Sequence, residues 1–117
     1  MSTTIEGLVI DGARVSAAEG RTFETVNPAT GDVFRTVAEA GAEDADRAVR
    51  AAARAFEDWG HRTPIQRAKV LYRFADLIEE HADELALLET RDMGMAIGDA
   101  RWCAGNAAAV MRYFAGA

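Results

Sequence analysis

The spacing of apolar and polar positions changes near residue 43. Before it, apolar residues come in short runs broken by turn formers. Leu8-Val9-Ile10, Asp11-Gly12 and Ala13-Arg14-Val15 make a hairpin signal, because Asp-Gly suits the positive φ angles of a type I′ turn. A further strand is predicted over about Thr22 to Val26, and another over Asp32 to Val37, with Gly20 in the intervening loop. Between the last two, Asn27-Pro28-Ala29-Thr30-Gly31 reads as a tight turn: Asn-Pro sets the chain direction and Gly31 releases the next strand. The connections are too short for parallel crossovers, so antiparallel pairing is expected.

After residue 43 the period becomes helical. Val49, Ala52, Phe56 and Trp59 fall on one face, Glu43, Asp44 and Asp46 crowd the first turn where carboxylates favour the helix dipole, and Gly60 is expected to end the helix. Thr63-Pro64-Ile65-Gln66 is the best helix start in the chain, with Thr63 as cap, Pro64 in the first turn and Gln66 completing a capping box. Ile65, Leu71, Phe74, Leu77 and Ile78 are expected to form the buried side of this helix. The pattern loosens at His81-Ala82-Asp83, which predicts a break, and Leu85 and Leu88 carry helix on to Gly94. A last helix starts near Ile97 to Asp99 and runs toward Phe114, with Ala100, Ala104, Ala107, Ala108 and Met111 as a close-packing face. Trp102, Met111, Tyr113 and Phe114 are left with few obvious partners, which favours their burial against later sequence or another subunit.

At 117 residues the chain is one domain or part of one. Its 50% hydrophobic content excludes a disordered tail. The net charge of −6, from 13 Lys+Arg against 19 Asp+Glu, disfavours nucleic acid and anionic membrane surfaces, both of which need clustered cations. The single cysteine, Cys103, excludes a disulfide within the chain and fits a reducing compartment. Residues 1–6 lack the basic and apolar pattern of a signal peptide, and no apolar run is long enough to span a membrane, so a soluble cytoplasmic protein is expected.

Chemistry-bearing motifs are few. No Gly-rich phosphate loop, C-x-x-C or H-E-x-x-H is present, and His61 and His81 have no metal-ligand spacing to other residues. Cys103 is the one candidate nucleophile. Its Ala-rich helical surroundings instead favour a packed structural residue over an independent thiol enzyme, a contrast that mild alkylation tests.

The succession Phe23-Glu24-Thr25-Val26-Asn27-Pro28-Ala29-Thr30-Gly31, Val33-Phe34, a helix ending at Phe56 and Trp59, Leu87-Leu88-Glu89-Thr90-Arg91-Asp92, and Arg112-Tyr113-Phe114-Ala115-Gly116 resembles the amino-terminal part of an aldehyde dehydrogenase. The resemblance runs from about Leu8 to Gly116. It implies an α/β family fold in which residues 1–117 are the first portion of the cofactor-binding domain. Residues 1–40 would be an antiparallel β-hairpin region, followed over 41–117 by three or four α-helices. One departure is Met95-Ala96 where members often read Lys-Pro. It leaves the subfamily open, with a semialdehyde or general aliphatic aldehyde enzyme as fitting as any.

The family's chemistry is oxidation of an aldehyde to a carboxylic acid. A cysteine thiolate attacks the aldehyde, hydride passes to NAD⁺ or NADP⁺, and a glutamate activates the water that releases the acid. Those residues lie further along than this segment, which matches no catalytic or cofactor-binding position and is expected to be inactive alone. Two further roles are implied. Many members hold a monovalent cation, Na⁺ or K⁺, on backbone carbonyls that correspond here to Thr25 and Val26, with the carboxylate of Asp92. The plain alternative for Asp92 is a helix-end or surface ion-pair residue. The last helix of this segment lines the mouth of the aldehyde tunnel in such enzymes, which gives Trp102 and Asn106 a substrate-sorting role beside the plain one of packing. Dimers or tetramers are common in the family. The rival reading from another class is a free-standing helical interaction or regulatory module derived from it.

Overall fold

The computed structural model describes residues 5–116. The leader pattern sought over residues 1–6 therefore falls mostly outside the described residues. The chain divides into two units, Met1–His61 and Arg62–Ala117.

The first unit holds strands β1 (Ile5–Glu6), β2 (Leu8–Ile10), β3 (Ala13–Val15), β4 (Thr22–Val26) and β5 (Val33–Ala38), then helix α1 (Ala42–His61). Strands β2 and β3 form the expected hairpin, with Leu8 opposite Val15 and Ile10 opposite Ala13. Its turn has φ of 56° at Asp11 and 74° at Gly12, the left-handed pair that Asp-Gly tolerates. Strands β4 and β5 pair antiparallel, from Thr22 opposite Ala38 to Val26 opposite Val33. The turn between them is closed by Asn27. Its N–H donates to the carbonyl of Asp32 (2.9 Å), its side-chain Oδ1 accepts from the Ala29 N–H (3.0 Å), and its carbonyl accepts from the Gly31 N–H (2.8 Å).

One pairing differs from the expected all-antiparallel β-unit. Strand β1 lies parallel to β5, with Ile5 opposite Thr36 and Glu6 opposite Val37, giving a three-stranded order β1-β5-β4. The short-connection argument holds for neighbours in sequence. The β2–β3 hairpin and β4 intervene between β1 and β5, so this link is long enough to bring two strands parallel. Glu6 receives both Arg14 and Arg35, a cross-strand ion-pair cluster at the start of the sheet.

The second unit is helical: α2 (Pro64–Glu80), α3 (Ala82–Met93) and α4 (Ile97–Ala115). The capping box on α2 is complete. The Gln66 N–H donates to Thr63 Oγ1 (3.3 Å), and the Thr63 N–H donates to Gln66 Oε1 (2.8 Å). The break falls at His81, which closes α2 and precedes α3. Gly94, with φ of 80°, ends α3 and donates its N–H to the carbonyl of Thr90 at 3.0 Å.

Helix α4 packs on both α2 and α3. Its Ala100, Ala104 and Ala108 are buried, and so are Ala75 on α2 and Ala86 on α3. The i, i+4, i+8 spacing on α4 is the commonest packing ridge, and methyl side chains bring helix axes close. The apolar side expected for α2 is not buried in full. Leu71 and Ile78 are half-buried, while Ile65, Phe74 and Leu77 are exposed, Ile65 at 72%. On α1 the face of Val49 and Phe56 is likewise exposed, and Ala51 is the buried apolar residue. Periodicity marked these faces correctly as apolar, but it carries no information on what covers them.

Candidate functional site

Thr25 and Val26 close β4, immediately before the Asn27 turn. The ladder with β5 is irregular at this step: Thr25 faces Arg35 and Val26 faces Val33, so Phe34 is the extra residue of a bulge. A bulge interrupts regular pairing and re-aims the backbone groups beside it. Thr25 Oγ1 is buried and has no hydrogen-bond partner in the protein. In the second unit, Asp92 is the penultimate residue of α3 and is exposed. Two residues before it, Thr90 Oγ1 is the other buried side-chain oxygen found without a partner among the described residues. Thr25 in the first unit and Thr90 in the second thus each carry an orphaned hydroxyl. Such groups in native structures call for a water, an ion or a further chain segment. Thr25 and Val26 belong to the first unit and Asp92 to the second. Among the described residues, no three His, Cys, Asp or Glu side chains group to hold a metal ion.

Trp102 and Asn106 are both exposed on α4, Trp102 at 68%. At about 100° per residue they lie on one face, roughly opposite the buried Ala100–Ala104–Ala108 stripe. Tyr113 shares that face and is also exposed, its ring edge-on to Phe114 at 5.2 Å. Helix α4 thus has one side sunk in its neighbours and shows Trp, Asn and Tyr on the other. Cys103 is half-buried on the same helix, its Sγ 3.9 Å from Met95 Sδ.

Two charged features were not legible as sites. Asp44 is the largest fully buried side chain, 2% exposed. Both its oxygens accept from the Ala18 N–H (3.1 Å each), Oδ2 also accepts from the Gly41 N–H (3.0 Å), and Oδ1 faces Arg47 Nη1 at 3.3 Å. The Gly41 N–H bond, followed by that from Ala18 and the charge of Arg47, holds its carboxyl below the ordinary 3.8 against the opposing effect of burial. Asp44 therefore ties the loop before β4 to the start of α1. Its position in the first helical turn was the available signal, but that signal spoke only of the helix dipole.

The second feature is the fork of Arg112 on α4. It reaches Glu79 at 2.5 and 2.7 Å and Asp76 at 2.9 Å, all on α2. Those hydrogen bonds raise the Arg112 pKa, and the bond from Arg112 holds Glu79 below its usual range. A cavity of about 310 Å³ lined by Arg47, Arg50 and Arg54 is not an anion site. Each guanidinium already faces a carboxylate: Asp44 at 3.3 Å, Asp46 at 2.8 Å and Asp11 at 3.2 Å.

The fold and the Asn27 turn belong to a known class. The family model described as the aldehyde dehydrogenase family matches residues 15–117, and the chain belongs to that family. It is 46% identical over 104 residues to the family protein DhaS of Bacillus subtilis (strain 168), covering 85% of this chain and 21% of that one. Among solved structures, a mutant of Bacillus cereus aldehyde dehydrogenase matches 97% of this chain with a TM-score of 0.93 and 46% identity. A betaine aldehyde dehydrogenase mutant of Staphylococcus aureus, in complex with NAD⁺, matches 95% with a TM-score of 0.90 and 39% identity. The chain spans 24% and 23% of the length of those two structures. No described helix is long and apolar enough to cross a membrane.

Proposed function

We propose that this chain is the amino-terminal part of the cofactor-binding domain of an NAD(P)-dependent aldehyde dehydrogenase. The complete enzyme converts an aldehyde and water to a carboxylic acid, with reduction of the nicotinamide. The segment itself supplies scaffold, a cation site and tunnel wall, and is inactive alone. The observation that carries this reading is the family match over residues 15–117, joined to 39% identity with a structure that contains NAD⁺. The enzyme is cytoplasmic and works as a homo-oligomer, a dimer or tetramer, without nucleic acid or membrane as partner.

Intact mass followed by an activity assay tests the reading. A product near 12.6 kDa that reduces no NAD⁺ or NADP⁺ with aldehydes supports the inactivity of the segment. A product several times heavier that turns over supports the enzyme. Turnover by the 12.6 kDa chain sinks the first statement, and a heavy product with no aldehyde-dependent reduction sinks the second.

The family resemblance assigns Na⁺ or K⁺ to the backbone carbonyls of Thr25 and Val26 and the carboxylate of Asp92. Bound ion stabilises the form that binds it by mass action. Replacing choline by Na⁺ or K⁺ at constant ionic strength should therefore raise the melting temperature of the complete enzyme, and Asp92→Asn should abolish that rise. An equal rise in both proteins rejects the site. At the tunnel wall, Trp102→Ala should shift preference toward bulkier aldehydes by about tenfold in relative kcat/KM. Unchanged selectivity rejects the role of Trp102.

A further inference from the structure

We propose that Arg112 is a positioning residue. Its fork onto Asp76 and Glu79 fixes the rotation of α4 and so sets where the Trp102–Asn106 face points. The effect on substrate choice rests on the tunnel-wall reading above; the lock itself rests on contacts within the helical unit.

The need for a lock follows from the packing. Ala100, Ala104 and Ala108 are buried, yet a stripe of methyl groups is nearly smooth. It allows close approach but offers little resistance to a helix turning about its own axis, because rotational specificity comes from large side chains filling grooves. A directional contact has to supply what the stripe lacks. Arg112 does so with three bonds. Nη1 donates to Glu79 Oε1 at 2.5 Å, while Nη2 donates to Glu79 Oε2 at 2.7 Å and to Asp76 Oδ1 at 2.9 Å. A planar guanidinium held on both oxygens of one carboxylate has a fixed orientation as well as a fixed distance. Its side chain is 34% exposed, and those of Asp76 and Glu79 are 50% and 53% exposed. The ion pair of α4 with α3, Arg101 to Asp83 at 2.8 Å, is a single bond and more open, with side chains 58% and 85% exposed. Solvent and salt weaken that second tie, leaving Arg112 as the stronger constraint.

The geometry connects this lock to the outer face. Arg112 sits at the flank of α4, about 80–120° round the helix from Trp102 and Asn106, with the alanine stripe on its other side. A small rotation at Arg112 therefore swings the Trp102 indole sideways. Cys103, half-buried beside Met95, is an internal reporter of the same rotation.

The test uses the complete enzyme and the variants Arg112→Met, Arg112→Lys, Trp102→Ala and the double variant Arg112→Met/Trp102→Ala. Relative kcat/KM for a bulky and a small aldehyde is measured alongside alkylation of Cys103, followed in its own peptide by mass spectrometry. Arg112→Met should move the bulky-to-small ratio in the same direction as Trp102→Ala, by about threefold to tenfold, and raise Cys103 labelling. The double variant should move no further than Trp102→Ala, and Arg112→Lys, which keeps the charge but loses the fork, should recover only part. A lower melting temperature with both the ratio and the labelling unchanged overturns the proposal, since Arg112 would then be merely structural. If Trp102→Ala alone leaves the ratio unchanged, the tunnel reading fails, and the lock stands or falls on Cys103 labelling. If Arg112→Met does not fold, Asp76→Ala removes one of the three bonds and is judged on the same two measurements.

Discussion

The two units solve the same problem in opposite ways. Each has a buried apolar core made of alanines: Ala17, Ala38 and Ala51 in the first, and Ala75, Ala86, Ala100, Ala104 and Ala108 in the second. In the helical unit those methyl groups are themselves the contact, and the charged groups sit outside as ties. In the β-unit the centre is a carboxylate, Asp44, ringed by N–H donors that come from a loop and from the helix start. Helices satisfy their own backbone groups and can meet through small side chains. A short sheet joined to one helix leaves loop N–H groups that need an acceptor, and a buried carboxylate supplies one.

The contrast predicts that bulk breaks the second unit and loss of charge breaks the first. Ala108 is fully buried, so Ala108→Leu should force α4 away from its neighbours and cost about 3 kcal/mol in chemical denaturation. A cost near zero would show that the helices are loosely packed and that the stripe is not the contact.

Asp44→Asn should lower the melting temperature by about 5–10 °C. An amide offers one acceptor where two carboxylate oxygens now face the N–H groups of Ala18 and Gly41 and the guanidinium of Arg47, and it turns an NH₂ toward the remaining donor. The pH dependence sharpens this. The folded-state pKa of Asp44 is depressed, so its contribution is complete above the unfolded value near 3.8 and is lost as pH falls below that value and through the folded one. Asp44→Asn should flatten that acid limb. A limb of the same steepness in both proteins would assign the acid sensitivity to other carboxylates. Glu79 is depressed too, by its bond from Arg112, and is the first of these to examine.

The smallest effect belongs to the capping box, which stands apart from both centres. Thr63→Ala removes one half of it and should cost about 1 kcal/mol, with the β-unit unaffected. A larger loss that spreads to the first unit would mean that the two units do not unfold separately.

Local chemistry was legible in the chain. Asp11-Gly12, Thr63-Pro64-Ile65-Gln66, the break at His81 and Gly94 after α3 each act through backbone angles or hydrogen bonds spanning a few residues. Such features are decided by the residues themselves, and the family resemblance rested on the same kind of succession. The candidate site was legible only as positions: Thr25 and Val26 before a turn, Asp92 near a helix end, Trp102 and Asn106 one turn apart. The bulge opposite Thr25 and the orphaned hydroxyls of Thr25 and Thr90 were not, because they depend on register and on packing from distant sequence.

Thus the sequence by itself determined strands β2 to β5, the four helices, the cap of α2, the hairpin and the buried face of α4 at Ala100, Ala104 and Ala108, since each follows from periodicity or from a local hydrogen bond. Strand β1, the end of α1 at His61 and the exposure of Ala107 went unread. Tertiary structure alone decided that β1 lies parallel to β5, that Asp44 is buried rather than solvated, and that Arg112 reaches back to Asp76 and Glu79. Those contacts join residues 26 to 36 positions apart. At such separations the closure of the chain, and not the neighbourhood of any residue, selects which charged group meets which partner.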